Sequence, residues 1–205
     1  MAAAATRVGV LGGTFNPPHA GHLACARAAR TALGLDVVLL VTAARPPHKP
    51  FASDPGAEVR FELCQAAASG EPGLQASRAE LDRPGPSYTV DTLRAMHSER
   101  PDAEFTLVVG GDMATNLPTW REPEAVLGLA RLAVAERAGS ARALIAERLA
   151  PLAGEDRVSY LDMEPVDVSS SLVRDRVARG ESIDGLVPDA VAQLIAEGGL
   201  YAVAA

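Results

Sequence analysis

The chain lacks the features that announce several broad protein classes. It has two cysteines in 205 residues, and neither stands in a metal-ligand spacing. Cys25 and Cys64 each fall in an apolar helical pattern, so they read as buried, reduced thiols that pack as small hydrophobes. Basic residues are the minority, 19 against 26 acidic, for a net charge of −7. That balance excludes a protein that coats nucleic acid or an anionic membrane through bulk charge, yet permits a local anion site on an acidic body. No apolar stretch approaches the ~20 residues that span a bilayer. The alanine-rich start has no basic leader followed by a long apolar core, so residues 1–5 read as a tail, and the expected compartment is the cytoplasm. A Walker-type GxxxxGK[ST] is missing and the first glycine turn is not GxGxxG, which weakens P-loop and dehydrogenase readings. Carboxylates do not cluster, so no all-protein metal cage is expected.

What the chain does have is size and alternation. With 48% hydrophobic and 22% charged residues, it can bury a full core as one domain over 1–205, of which 163–205 would be a C-terminal helical portion. Strand-length apolar runs at Arg7–Leu11, Asp36–Thr42, Phe105–Val109, Arg131–Ala135 and Val158–Leu161 alternate with helical patterns. Those patterns lie near His19–Leu33, Glu58–Ser69, Thr89–Glu99, Glu122–Leu129 and Ser140–Leu149, with two more at Ser170–Arg179 and Asp189–Glu197. Continuous apolar strands suit a parallel sheet covered on both faces. The alternation predicts a doubly wound, Rossmann-like α/β fold. Ligands of such sheets sit beyond the carboxyl ends of the strands, where the strand order reverses.

The chemistry-bearing residues fall at those ends. Gly12-Gly13-Thr14-Phe15-Asn16-Pro17-Pro18-His19-Ala20-Gly21-His22 follows the first apolar run and leads into a helix. A helix N-terminus offers unpaired N–H groups and a positive dipole end. Gly12 and Gly13 let a ligand approach the backbone. His19 and His22, three apart, project from one face of the first turn; two imidazoles at a phosphate-binding turn suggest phosphoryl chemistry. The proline-rich segment Ala43–Ala57 carries His48 and Lys49 toward the same strand ends and is expected to be a functional, mobile loop. In Pro86-Ser87-Tyr88-Thr89-Val90-Asp91-Thr92-Leu93, Ser87 or Thr89 can cap a helix and Asp91 favours its positive end. Gly110-Gly111-Asp112 closes the third apolar strand; Asp112 can accept from ligand hydroxyls, and Trp120 offers a flat face to a planar ring. Ser169-Ser170-Ser171, with Arg174 a turn later, can cap a helix or clamp a polyphosphate.

The string GGTFNPPHAGH, with its HxGH ending, resembles the opening of the bacterial nicotinate mononucleotide adenylyltransferases, with Asn16 where Asp is common. PPHK at Pro46–Lys49, SYTVDTL from Ser87, the GxD of Gly110–Asp112 with Trp120, and VSSSLVR to Arg174 resemble further elements of that family in order. The resemblance implies transfer of AMP from ATP to nicotinate mononucleotide, without a covalent enzyme intermediate. His19, His22 and Lys49 would be catalytic. Gly12, Gly13, Thr14, Phe15, Gly110, Asp112, Ser170, Ser171 and Arg174 would bind ATP. Asn16, His48, Tyr88, Thr89, Trp120 and Arg121 would bind the acceptor, and Mg²⁺ would arrive on the ATP phosphates. The expected partners are the two nucleotides, with neither nucleic acid nor membrane, and a homo-oligomer is left open. Alternatives are a related transferase acting on nicotinamide mononucleotide or phosphopantetheine, a glycerol-phosphate cytidylyltransferase type, or a non-catalytic nucleotide sensor. The HxGH of class I aminoacyl-tRNA synthetases is less apt, because this chain is short and has no KMSKS-like loop.

Overall fold

The computed structural model describes residues 5–45, 53–136, 142–152, 154–164 and 166–203. Its strands are β1 (Arg7–Gly13), β2 (Val37–Thr42), β3 (Leu74–Ser77), β4 (Glu104–Gly110), β5 (Arg131–Glu136) and β6 (Val158–Asp162). They form one sheet in the order β3-β2-β1-β4-β5-β6, and every neighbouring pair is parallel. The order reverses between β1 and β4, which places the switch point at the centre of the sheet. Parallel neighbours need crossovers, and six helices lie in them among the described residues: α1 (Ala20–Leu33), α2 (Ala57–Ser69), α3 (Thr89–Glu99), α4 (Gly111–Asn116), α5 (Pro123–Leu129) and α6 (Arg142–Leu149); α7 (Ser170–Ala178) and α8 (Asp189–Glu197) follow the last strand.

Strand side chains alternate between two cores. Leu11, Val38, Leu40, Val108 and Ala133 face a cluster with Leu23 and Ala26 of α1, Leu63 and Cys64 of α2, Val173 of α7 and Ile195 of α8. Val8, Val10, Leu39, Phe105, Leu107 and Leu132 face the opposite way, against Leu93 of α3, Val126 of α5 and Ile145 of α6. Because both faces are covered, the strands read as unbroken apolar runs. The doubly wound expectation is therefore met. Cys25 and Cys64 are buried free thiols, as their apolar contexts indicated, and burial pushes them up to about 11 and about 12.

Helix ends follow local chemistry. α1 stops at Gly34, which adopts φ 59° and donates its N–H to Arg30 O; a left-handed residue there costs a glycine little. α7 starts where Ser169 Oγ accepts the Leu172 N–H at 3.1 Å. At α3 the expected caps differ: Tyr88 holds the N-cap position without a side-chain cap bond. Ser87 Oγ instead accepts the Arg45 N–H at 3.1 Å, and Ser87 N–H donates to Arg45 O at 3.1 Å. Ser87 thus ties the approach to α3 to the segment after β2. Two elements escaped the sequence pattern. β3 is an edge strand of four residues with one buried side chain, Leu74, and α4 buries only Ala114. His48, Lys49 and the body of the expected proline-rich loop, residues 46–52, lie outside the described residues, as does the tail 1–4.

Candidate active site

A cavity of about 910 Å³ opens at the carboxyl ends of the strands, over the β1/β4 switch point. Gly12, Gly13 and Thr14 leave β1 along its wall, with His19 and His22 of the following turn. Ala43 after β2, Gly110 at the end of β4 and Ala135 of β5 continue it. Tyr88, Thr89, Trp120 and Arg121 line the wall beside the N-terminus of α3. A Cβ built on Gly12 or Gly110 would meet no protein atom within 4 Å. Neither residue has a left-handed φ, so the missing side chains leave open space at the wall rather than answer a backbone constraint.

The two histidines act as a pair. His19 is the N-cap of α1 with extended backbone, φ −143° and ψ 171°, and its N–H donates to His22 Nδ1 at 3.2 Å. The rings stack with centroids 3.6 Å apart, and Phe15 meets the His22 ring edge-on at 4.9 Å. Burial holds His19 down to about 4 and, with the neighbouring His19 ring, holds His22 at about 3. Both imidazoles are therefore neutral at pH 7. With Nδ1 of His22 accepting a backbone proton, its own proton must sit on Nε2, a neutral donor free for a ligand oxygen. His19 Nδ1 is buried with no hydrogen-bond partner among the described residues.

This pair makes stability depend on acid. The rings titrate at about 6.5 when unfolded, so the unfolded chain binds more protons than the folded one below that pH. Their contribution is complete above pH 6.5 and is lost as the pH falls toward 4 and 3. Allowing for the solvent that reaches His19, the loss by pH 5 is on the order of 2 kcal/mol, or roughly 4–8 °C in Tm for a chain of this size. Thermal melts between pH 7.5 and 5 should show this drop. A His19→Asn/His22→Asn double variant should show a visibly smaller one, and equal drops would remove the pair from the account.

Other expected site residues support the turn rather than line the cavity. Phe15 is 2% exposed and packs into the core, where its ring lies 3.0 Å from the place a Gly13 Cβ would occupy. Asn16 is also 2% exposed: Nδ2 donates to Ser53 O at 3.2 Å, and Oδ1 accepts the Tyr201 hydroxyl at 2.7 Å. Ser170 Oγ donates to Pro17 O at 2.8 Å. Arg174 donates to Asn16 O at 2.7 Å and to Ser171 Oγ at 3.2 Å. The reason is local: the turn exposes carbonyls that α1 cannot satisfy, and α7, distant in sequence, supplies the donors. Asp112 is exposed in the first turn of α4, off the wall, although its neighbour Met113 lines it.

At the α3 end, the Arg121 guanidinium lies 4.8 Å from the Tyr88 ring centroid and 3.3 Å from Asp91 Oδ2. Trp120 packs partly against the α3/α5 core while it lines the cavity. The sequence reading missed Glu80 here. This carboxylate is 8% exposed, lines the cavity, and accepts the Thr92 hydroxyl at 2.7 Å. Thr92 stands one turn beyond Tyr88, so an acid seven residues upstream of SYTVDTL was the available signal.

Comparison with known proteins agrees with the geometry. The cytidylyltransferase-like family matches residues 10–176. A Bordetella petrii protein named "Probable nicotinate-nucleotide adenylyltransferase" is 43% identical over 197 residues, covering 95% of this chain and 98% of that protein. One of the same name from Gloeobacter violaceus is 41% identical over 206 residues, covering 97% and 98%. The solved Plasmodium falciparum nicotinic acid mononucleotide adenylyltransferase complexed with NaAD shares the fold, with a TM-score of 0.76 at 14% identity over 96% of this chain and 97% of that one. On the length and level of these matches, the chain belongs to the nicotinate-nucleotide adenylyltransferases within the cytidylyltransferase-like family.

Proposed function

We propose that this protein transfers AMP from ATP to nicotinate mononucleotide, forming nicotinate adenine dinucleotide and pyrophosphate. The observation that carries the reading is a single cavity with two unlike ends. A glycine turn and paired imidazoles at the N-terminus of α1 lie at one, and the N-terminus of α3 with Tyr88 and Trp120 lies at the other. The names of the relatives support the same reaction.

The acceptor's phosphate oxygen attacks the α-phosphorus of ATP, a P–O bond forms, and the bond to the pyrophosphate oxygen breaks. The attacking group is already anionic, so the protein need supply no nucleophile. Its work is alignment and stabilisation of charge that develops toward the leaving group. The α1 N-terminus and the Nε2–H of His22 donate to phosphate oxygens. Their neutral donors are held by the stack and by the His19 N–H before substrate arrives. Gly12 and Gly110 leave room for the nucleotide, and Asp112 and Lys49 are assigned to ribose and phosphates by their place in the motifs. Among the described residues, no group of three or more His, Cys, Asp or Glu side chains could hold a metal ion, and one oxygen of the cavity carboxylate Glu80 is engaged with Thr92. We take Mg²⁺ to arrive on the ATP phosphates, whose charge it would neutralise when bound.

No helix among the described residues is long and apolar enough to cross a membrane; the buried free thiols support a reducing compartment, which we take to be the cytoplasm. The test is pyrophosphate release from ATP against a panel of acceptors: nicotinate and nicotinamide mononucleotides, phosphopantetheine and glycerol 3-phosphate. Nicotinate mononucleotide should give the highest kcat/KM. Preference for either non-pyridine acceptor would overturn the assignment.

A further inference from the structure

Arg60 occupies a position where the sequence periodicity calls for an apolar side chain. On α2 it falls in line with Leu63, Cys64 and Ala67, all buried, and it is itself 1% exposed. A guanidinium that deep must replace its hydration with specific partners. It finds them at the cavity wall. Nη1 donates to Thr14 O at 2.9 Å and to Ala43 O at 2.7 Å, and Nε donates to Asp54 Oδ1 at 2.9 Å. Asp54 Oδ1 also accepts the Gly56 N–H at 3.0 Å, which fixes the entry to α2.

Thr14 and Ala43 both line the cavity, and the Ala43 N–H donates to Gly13 O at 2.9 Å. Arg60 therefore gathers the carbonyls of two wall residues from behind the wall. It sets the spacing between the turn after β1 and the end of β2 without reaching the cavity itself. We infer that Arg60 is a positioning residue for nucleotidyl transfer, holding the Gly13–Thr14 backbone in the geometry that receives the ATP phosphates. The inference rests on the reading of that turn as the phosphate site. The rigid fork of arginine matters, because a lysine ammonium donates from a single centre and cannot serve Thr14 O, Ala43 O and Asp54 in the same arrangement. Asn16 braces the same turn separately, through Ser53 and Tyr201, so loss of the Arg60 fork should loosen the wall without dissolving it.

The experiment compares the wild type with Arg60→Lys and, as a gentler perturbation on a more exposed partner, Asp54→Asn. Kinetics are read with both substrates varied, and amide hydrogen exchange is read without substrate. For Arg60→Lys, kcat should fall about 10- to 100-fold while KM for ATP changes less than about threefold, as expected when alignment rather than binding is lost. Exchange at the Ala43 amide should accelerate while Val8–Leu11 in β1 keep their protection, and Asp54→Asn should shift both readouts the same way by less. Near-wild-type kcat with unchanged Ala43 exchange in Arg60→Lys would overturn the inference. So would a kcat loss matched by equal loss of protection across β1, since that marks a merely structural role. An inactive wild type would refute the proposed reaction, and the exchange pattern at Ala43 would then still decide whether Arg60 sets the wall.

Discussion

Replacing His22 with alanine is expected to lower kcat by about 10²–10³ while leaving the fold intact, and His19→Ala should do the same. The size is that of removing one preorganised donor from a site where charge develops. The structure makes the expectation specific. The His22 Nδ1 bond to the His19 N–H at 3.2 Å fixes the tautomer, and burial, joined at His22 by the neighbouring His19 ring, holds both imidazoles neutral, His19 at about 4 and His22 at about 3. Catalysis should therefore not require a protonated histidine, and kcat should stay flat on the acid side until the fold itself weakens. The pair is not a core element, since each ring borders the cavity, so circular dichroism of either variant should match the wild type. A folded variant turning over at near wild-type rate would remove that histidine from the mechanism.

The second large effect concerns the acceptor. kcat/KM for nicotinate mononucleotide should exceed that for nicotinamide mononucleotide by roughly tenfold or more under matched ATP and Mg²⁺. The first amides of α3 are what a helix N-terminus presents to a ligand, because the Asp91 and Thr92 N–H groups already turn back to Tyr88 O. A carboxylate beside Thr89 accepts from those donors and gains from the helix dipole. A carboxamide turns its NH₂ toward donors and leaves a buried group unpaired, at a cost of about 1–3 kcal/mol. Arg121 stands at the same edge, over Tyr88 and beside Asp91, and Arg121→Met should narrow the preference. Glu80 opposes it, since its carboxylate lines the same cavity. Equal values for the two acceptors, or preference for the amide, would show that α3 does not read the acid.

These sites were legible because their chemistry is local in sequence. A glycine turn, two histidines three apart and a helix start lie within eleven residues, so spacing alone brings them together. The central strands were legible because Val8–Leu11 and Phe105–Val109 are apolar on both faces. β3 was not, since an edge strand with Leu74 as its one buried residue carries no run to detect. Nor were the duties of Asn16, Phe15 and Arg174. They stand in motifs read as ligand contacts, but Asn16 meets Tyr201, and Arg174 meets Asn16 O, only in the fold, while Phe15 turns into the core. Arg60 left a trace that periodicity could have found, because a charge on the apolar stripe of α2 requires buried acceptors. Which acceptors these are depended on the sheet.

The central claim is that the cavity aligns two nucleotides for direct transfer and contributes no nucleophile of its own. ATP labelled at its α-phosphate tests this most directly in a single turnover with enzyme in excess. With nicotinate mononucleotide present, the label should appear in the dinucleotide with one pyrophosphate released per label transferred. With the acceptor omitted, ATP should remain intact and the protein unlabelled. Label on the protein, or pyrophosphate released without acceptor, would contradict the account.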